Sequence, residues 1–374
     1  MIDFNLPYLS GKEEEYIFEA VRNGKISGNG KFTQLCHKIY EERFGFNKVL
    51  LTTSCTDALE MSALLCNINE GDEVIVPSYT FVSSALAFVR ERAKVVFADS
   101  LPDHPNIDAS KIEALITPRT KAIVVVHYSG VACDMDPIME IAKKHDLYVV
   151  EDAAQAIDSA YKGKFLGTIG DFGTFSFHET KNIQCGEGGL LGINSKQFQQ
   201  RAEIMWEKGT NRAEFFRGDV NKYGWVDIGS SFLPSEITSA YLYAQLEALD
   251  KIQSRRKQIW NRYNDQLSEL GTSGVISLPA IPEYATNNAH MYYLVAENPD
   301  ERTAIIKHLR ANDIHAVFHY LALHRSTYYS DKHDGRSLPN AVKFEEQLIR
   351  LPFYAELRDE QVDYICDSLK SYYS

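Results

Sequence analysis

The fold of this chain is decided by residues 122–150, AIVVVHYSGVACDMDPIMEIAKKHDLYVV. Two β-branched apolar runs stand at its ends, and between them Pro137 follows Asp136 at the head of a segment with helical spacing. Apolar runs of this kind predict strands buried on both faces, and an early proline predicts a helix start with Pro at its first position. The stretch therefore predicts a strand, a helix and a second strand packed as one unit.

Apolar runs of the same kind recur along the first half of the chain. They are Val49–Thr52, Glu73–Pro77, Lys94–Phe97, Thr174–Phe177 and Gly189–Ile193. Strands that alternate with helical segments predict an α/β fold with a doubly wound, mainly parallel sheet. Ligands of such sheets bind outside the carboxyl ends of the strands, where Asp152 falls after the last apolar run of the opening stretch.

The pattern changes near Pro234, where a helical segment begins that continues to about Leu270. Four further elements are expected after it: strand Met291–Val295, helix Arg302–Ala311, strand Ala316–Phe318 and a closing helix with Val362, Ile365, Cys366 and Leu369 on one face. We expect a large domain over residues 1–240 and a smaller α+β domain over 241–374, joined by a long helix. The polar segment Ser330–Arg336 is predicted to be a mobile loop.

Composition excludes several classes of protein. The net charge of -12 disfavours nucleic acid and anionic membranes as partners, and no apolar stretch reaches the length of a membrane span. The N-terminus lacks a basic segment followed by an apolar run, so we expect a cytoplasmic protein. The six cysteines form no CxxC pair, which argues against disulfides and a zinc ribbon. His315 and His319 lack nearby carboxylates, so no metal site is expected.

Lys181 and Asp152 together indicate the chemistry. Asp152 ends a strand with Gln155 three residues later, while Lys181 follows another strand and precedes a glycine-rich turn, residues 186–189. Pyridoxal 5'-phosphate (PLP) needs an amine to hold its aldehyde and a carboxylate to keep its ring nitrogen protonated. Taken separately, the aspartate could be a helix cap and the lysine a surface residue. Their combination predicts a PLP site in which Lys181 also acts as general base.

Two further segments could complete such a site. Residues 52–59, TTSCTDAL, follow a strand and open a helix, whose free N–H groups suit a phosphate, although a plain helix cap is the alternative. Phe81 follows the next strand and could stack on the ring, although core packing is the commoner role of such an aromatic. Ser176 and His178 alternate with two phenylalanines and should face the side opposite to those rings.

The chain resembles the DegT/DnrJ/EryC1/StrS family of PLP-dependent sugar aminotransferases over nearly its whole length. The motifs that carry the resemblance are residues 71–82 (GDEVIVPSYTFV), 151–155 (EDAAQ), 175–178 (FSFH), Lys181-Asn182, 187–189 (EGG), 244–246 (AQL), His319-Tyr320 and His324. The resemblance implies the PLP-dependent transferase fold type I, the aspartate aminotransferase fold, and a homodimer whose two active sites share residues.

The resemblance also implies roles for individual residues. Lys181 would hold the cofactor aldehyde, Asp152 would hold the pyridine nitrogen, Gln155 would lie near the ring hydroxyl and Phe81 would stack on the ring. The phosphate would be contacted by Cys55, Thr56 and Ser176. The substrate would be contacted by His178, Arg212, His319, Tyr320 and His324. Family members commonly lend the partner's site an asparagine from a Gly-Tyr-Asn-Tyr-Arg stretch. Here Ser231 stands in that position, so a hydroxyl would have to make that contact.

Within the family, the sequence is most similar to the transaminases that make dTDP-4-amino-4,6-dideoxygalactose, through segments such as residues 127–133, 207–212 and 227–231. This similarity implies amino transfer from L-glutamate to C4 of a dTDP-4-keto-6-deoxyhexose. Three alternatives stay open: a 3-keto sugar aminotransferase, a PLP-dependent sugar dehydratase and a PLP-binding sensor without turnover. Lys181 argues against the dehydratase, because histidine replaces the lysine in those enzymes.

Overall fold

The computed structural model describes all residues from 1 to 374. Its twelve strands are β1 (Val49–Thr52), β2 (Glu73–Pro77), β3 (Lys94–Ala98), β4 (Thr120–Val126), β5 (Tyr148–Asp152), β6 (Ala160–Tyr161), β7 (Lys164–Phe165), β8 (Phe172–Ser176), β9 (Gly189–Ile193), β10 (Ile276–Ser277), β11 (Tyr293–Ala296) and β12 (Leu348–Arg350). All seven strands predicted for the first half of the chain are present, with ends that differ by no more than a few residues.

Seven of these strands form one sheet in the order β1-β9-β8-β5-β4-β2-β3. Strand β9 is antiparallel to both of its neighbours, and every other pair is parallel. This is the predicted mainly parallel sheet. Because β1, β2, β4, β5 and β8 all run in the same direction, their carboxyl ends meet at one edge. The segments that follow these five strands therefore lie side by side.

The chain forms thirteen α-helices. They are α1 (Glu13–Arg22), α2 (Lys31–Phe44), α3 (Cys55–Leu65), α4 (Ser83–Arg90), α5 (Ala109–Ile112), α6 (Met135–His145), α7 (Gln199–Trp206), α8 (Arg212–Arg217), α9 (Glu236–Glu247), α10 (Leu249–Thr272), α11 (Pro299–Ala311), α12 (Pro339–Gln347) and α13 (Asp359–Tyr372). Helix α6 begins at Met135, so Pro137 occupies its third position rather than the predicted first. Proline is accepted there because first-turn N–H groups have no partner within a helix.

Apolar side chains cover both faces of the large sheet. Val124 and Val150 belong to one buried cluster, whereas Ile123, Val125 and Val149 belong to another on the opposite face. Successive side chains of a strand point to opposite faces, so each β-branched run supplies both layers of the core. This explains why the runs are continuously apolar. No helix of the protein combines the length and the apolar character needed to span a membrane.

The C-terminal part contains a second sheet of three antiparallel strands, β10-β11-β12, with its own buried cluster. The predicted long helix is present but is divided at Ala248 into α9 and α10. The closing helix α13 buries the expected apolar face. The prediction of a strand at 316–318 is wrong, because Val317 forms only an isolated bridge with Arg350. The segment Ser330–Arg336 is tied to β3, where Arg336 donates to the carbonyl of Phe97 (3.0 Å).

Candidate active site

A cavity of about 650 Å³ lies at the carboxyl edge of the large sheet. Loops after five strands form its floor and sides, and residues 319–320 and 350 of the C-terminal part close it from above. Ten of the residues predicted from sequence line it: Cys55, Thr56, Phe81, Asp152, Gln155, Ser176, His178, Lys181, His319 and Tyr320. Segments far apart in sequence converge here because parallel strands present their ends together.

Asp152 is the last residue of β5 and is buried. Its carboxylate accepts hydrogen bonds from the Ser84 hydroxyl (2.6 Å) and from the N–H of Ala154 (3.1 Å). Thr80 in turn lies 2.9 Å from the Ser84 oxygen and can donate to it. Loss of water raises the pKa of Asp152, and these hydrogen bonds and the charge of Lys181 oppose that rise. The carboxylate is thus fixed in position, with one side open to the cavity.

Lys181 follows β8 in a turn in which its N–H donates to the carbonyl of His178 (2.9 Å). Burial lowers the pKa of its amine, and the positive charge of Arg350 acts in the same direction, whereas Asp152 and the Cys55 thiol oppose this. A lower pKa increases the neutral, nucleophilic fraction of a lysine amine near neutral pH. The amine makes no hydrogen bond to the protein and is free to react.

The N-terminus of α3 forms the other end of the cavity. Ser54 caps the helix by accepting from the N–H of Asp57 (3.1 Å), so the helix-cap interpretation is correct for this residue. The N–H groups of Cys55 and Thr56 have no acceptor within the chain and remain available for an anion. The capping role of Ser54 is thus observed, while the phosphate contact of Cys55 and Thr56 stays a prediction.

The glycine-rich turn brings two distant segments of backbone together. A β-carbon on Gly189 would lie 2.3 Å from the backbone of Ser54 and 2.4 Å from the nitrogen of Cys55. Glycine is needed because β9 passes directly against the start of α3. The turn thus allows protein backbone to approach protein backbone, and it positions the anion site at the helix terminus.

His319 and Tyr320 form the upper wall of the cavity. The Tyr128 hydroxyl lies 2.7 Å from Nδ1 of His319, whose ring is neutral because burial lowers its pKa well below the ordinary value. Gln155 donates to the Tyr320 hydroxyl (3.0 Å) and accepts from the N–H of Ser129 (2.6 Å). The Phe81 ring lies 6.0 Å from that of Tyr320. These contacts join the upper wall to the floor.

His324 does not line this cavity, so within one chain it is separate from the residues around Lys181, and its role as a substrate ligand stays a prediction. Its Nδ1 lies 2.6 Å from the hydroxyl of Ser78, and its ring packs 5.1 Å from that of His333. Burial lowers the pKa of His324 to about 4, so the ring is neutral and serves as a hydrogen-bonding partner within the fold. The sequence alone could not distinguish this structural role from the cavity-lining position of His319, five residues earlier.

Arg212 and Ser231 also lie away from the Lys181 cavity within one chain. Arg212 lines a separate cavity and faces Glu207 at 3.7 Å, and Ser231 forms a β-bridge with Glu207. Both residues are exposed. A single chain therefore gives neither of them a contact with the residues around Lys181.

Sequence reasoning missed three residues that the fold brings to this site. Ser84 holds Asp152, His290 lines the cavity, and the guanidinium of Arg350 enters it from the end of β12. Only Arg350 had a signal in the sequence, since an arginine inside the apolar run Leu348–Pro352 needs an explanation. The other two became recognisable only when distant segments came together.

The residues present fit PLP. The unpaired N–H groups of Cys55 and Thr56 suit its phosphate, the fixed carboxylate of Asp152 suits its ring nitrogen, and the free amine of Lys181 suits its aldehyde. These three groups line one cavity, and each matches a different end of the cofactor. No group of three or more histidine, cysteine or acidic side chains is arranged to hold a metal ion.

Comparison with known proteins supports the same chemistry. GDP-perosamine synthase of Escherichia coli O157:H7 is 34% identical over 372 residues, which cover 98% of this chain and 97% of that protein. The spore coat polysaccharide biosynthesis protein SpsC of Bacillus subtilis is 31% identical, over 99% and 96% of the two chains. Spr1654 of Streptococcus pneumoniae, solved in a PLP form, superposes with a TM-score of 0.90 at 28% identity, over 99% and 98%.

The sequence model of the DegT/DnrJ/EryC1/StrS aminotransferase family matches residues 7–370. It confirms the predicted fold type I, the PLP dependence and the transaminase class. The particular similarity to dTDP-4-amino-4,6-dideoxygalactose transaminases stays a prediction, because the relatives compared above carry other names. Fold, site and relatives agree on one conclusion: this chain belongs to the DegT/DnrJ/EryC1/StrS aminotransferase family and is a PLP-dependent sugar aminotransferase.

Proposed function

We propose that this enzyme transfers the amino group of L-glutamate to C4 of a dTDP-4-keto-6-deoxyhexose. The products would be 2-oxoglutarate and a dTDP-4-amino-4,6-dideoxyhexose of galactose configuration, destined for surface polysaccharide. The observation that carries the proposal is the convergence of Lys181 and Asp152 in one cavity whose far end is the N-terminus of α3. The sequence motifs shared with C4 transaminases of dTDP-sugars support the choice of substrate.

Each residue around the cavity would have a distinct role in the reaction. When bound, PLP supplies an electron sink that stabilises negative charge on the reacting carbon. Asp152 is placed to hold a proton on the ring nitrogen, which strengthens that sink. Lys181, whose amine has a lowered pKa, is suited to take the proton from the donor's α-carbon and return it at the cofactor. His319 and Tyr320 would keep water from the reacting atoms.

A GDP-linked sugar is the second candidate. Its support is the name of a relative, GDP-perosamine synthase, which matches the chain over 98% of its length. The cavity itself does not discriminate between the two bases, because its lining residues surround the expected position of the cofactor. Incubating the enzyme with each sugar nucleotide in separate reactions decides between them.

We further propose a homodimer in which Arg212 and Ser231 reach the cavity of the second subunit. The segment around them exposes large apolar side chains, with Phe216 69%, Trp225 84% and Ile228 55% exposed. Several large exposed apolar side chains in one segment are typical of a protein interface. Sedimentation velocity should give a dimer, and Trp225→Asp should shift the protein toward monomer and reduce activity.

The function is tested with dTDP-4-keto-6-deoxyglucose and L-glutamate, followed by identification of the sugar product. A 4-amino product supports the proposal, whereas amination at C3 or loss of water from the sugar would identify one of the two alternative enzymes. If glutamate leaves the cofactor absorbance unchanged, the proposed donor is wrong. No amination with any sugar nucleotide or donor would instead favour a PLP-binding sensor.

A further inference from the structure

Asn182, the residue that follows Lys181, holds the ring of His290 in one orientation. Both Asn182 and His290 are buried, with 3% and 4% of their surface exposed. Nδ2 of Asn182 donates to the backbone carbonyl of Asn288 (3.0 Å) and to Oε1 of Gln253 (2.8 Å). Because a backbone carbonyl only accepts, the amide nitrogen of Asn182 must lie on that side and its oxygen on the other. That oxygen lies 2.7 Å from Nδ1 of His290.

This contact decides which ring nitrogen of His290 carries the proton. An amide oxygen only accepts, so Nδ1 is protonated and Nε2 carries a lone pair. The ring is neutral, because burial and the positive charges of Lys181, Arg256 and Arg350 lower its pKa well below the ordinary value. Nε2 has no hydrogen-bond partner within the chain and is not one of its fully enclosed polar atoms, and the ring lines the Lys181 cavity. A fixed hydrogen-bond acceptor therefore faces that cavity.

His104 shows what a buried histidine without such a role looks like. It is 3% exposed, and burial lowers its pKa to about 4, so its ring is neutral as well. Its Nδ1 accepts from the N–H of Asn106 (3.1 Å), and its Nε2 is fully enclosed by protein. His104 does not line the cavity. The difference between the two histidines is the access of Nε2 to a ligand.

A neutral lone pair binds a hydrogen-bond donor, and the two reactants differ in the donors that they present. Once its amine is engaged in the reaction, L-glutamate presents two carboxylates, which only accept hydrogen bonds. A keto sugar presents hydroxyl groups, which donate. In a dTDP-4-keto-6-deoxyhexose one hydroxyl is on C3, beside the carbonyl carbon that receives the amino group. The sugar is therefore the reactant that suits Nε2 of His290.

We propose that His290 accepts a hydrogen bond from the sugar hydroxyl beside the ketone, and that Asn182 is a positioning residue that keeps the lone pair of His290 toward the cavity. This inference deepens the proposed function and rests on its keto-sugar acceptor. Because Asn182 follows Lys181 directly, one turn of backbone places both the reacting amine and the contact to the sugar. A sugar without this hydroxyl would leave the acceptor of His290 unpaired.

The two half-reactions are measured separately by stopped-flow absorbance of the cofactor, one with L-glutamate and the other with dTDP-4-keto-6-deoxyglucose. His290→Leu removes the acceptor and should slow the sugar half-reaction about 5- to 50-fold, because a hydroxyl is left unpaired in a buried site. The glutamate half-reaction should stay within about twofold, since no glutamate hydrogen bond is removed. His290→Gln, which offers an amide oxygen in place of Nε2, should restore most of the sugar rate. His104→Leu is the matched control and should change neither rate.

A sugar that lacks the C3 hydroxyl, dTDP-4-keto-3,6-dideoxyglucose, links the residue to the hydroxyl. The wild-type enzyme should aminate it about 5- to 50-fold more slowly than the hydroxylated sugar, whereas His290→Leu should use both sugars within about twofold, because its acceptor is already absent. Asn182→Ala leaves His290 in place but lets its proton move to either nitrogen, so the sugar half-reaction should slow about two- to fivefold. This variant gives a result if His290→Leu fails to fold.

Equal losses in both half-reactions would overturn the assignment, since His290 would then support the cofactor or Lys181 rather than the sugar. Fully multiplicative effects of His290→Leu and of the missing hydroxyl would overturn it as well, because two groups in contact are not independent. Failure of the proposed function is recognised separately, as no amination of the dTDP sugar by the wild-type enzyme. If a different keto sugar is aminated, the same comparison is made with that sugar and its deoxy analogue.

Discussion

Ser84→Ala tests whether the carboxylate of Asp152 controls the reaction through its hydrogen bonds. The Ser84 hydroxyl donates to Asp152 at 2.6 Å in a buried setting, and the other donor is the N–H of Ala154 at 3.1 Å. The substitution removes the shorter bond without changing any group that touches the cofactor site directly. Because Ser84 is fully buried in α4, water cannot readily replace the lost donor.

The size of the effect follows from the charge of the acceptor. A hydrogen bond to an ionised group contributes about 1.5–3 kcal/mol, which corresponds to roughly 10- to 150-fold in an equilibrium constant. Part of this lost free energy is recovered when the carboxylate pairs with a positive ring nitrogen, so we expect about a tenfold loss in the rate of the glutamate half-reaction. The pKa of Asp152, already raised by burial, should rise further. The acidic limb of the rate profile should therefore move to higher pH.

The half-reaction is followed by stopped-flow absorbance of the cofactor after mixing with glutamate, between pH 5 and 9. Thr80→Val, which removes the donor behind Ser84, should give a smaller change in the same direction. Ser62→Ala is the matched control, because Ser62 is equally buried but donates to the carbonyl of Leu59. If Ser84→Ala and Ser62→Ala give the same rates and the same acidic limb, Asp152 does not depend on this hydrogen bond.

Three further outcomes are expected. Lys181→Ala should keep the wild-type far-ultraviolet circular dichroism and lose all turnover, since its amine makes no hydrogen bond that supports the fold; residual turnover above about 1% of wild type would contradict its role as proton carrier. Gly189→Ala should push its new methyl group into the backbone of Ser54 and weaken PLP binding about tenfold or more in a spectral titration, because overpacking costs about 1–3 kcal/mol. Gly224→Ala, which has open space around it, should leave PLP binding unchanged. Burial lowers the pKa of His37 to about 3, so below pH 6.5 the unfolded chain binds a proton that the folded chain does not, and stability should fall as pH decreases from about 6.5 toward 3. His37→Gln should flatten this pH dependence of the melting temperature, and an unchanged slope would show that His37 does not contribute.

Much of the site could be predicted because its parts sit in local sequence motifs. Asp152 follows an apolar run, Lys181 precedes a glycine-rich turn, and residues 52–59 open a helix. Each pattern reports local structure, and local structure fixes which residues stand at strand ends. The sequence showed the glycine-rich turn but not what packs against it, since the contact between Gly189 and Ser54 joins two distant segments.

The sequence by itself determined the α/β class, the strand runs and the candidate cofactor-binding residues, because periodicity and terminal motifs are local properties. Only the tertiary structure separated His319 from His324, since two histidines five residues apart differ only in what packs against them. It also showed that Ser84 donates a hydrogen bond to Asp152 and that the buried Nε of Arg350 has no hydrogen-bond acceptor. Hydrogen-bond satisfaction and burial depend on segments that meet from distant parts of the chain, and no local pattern encodes them.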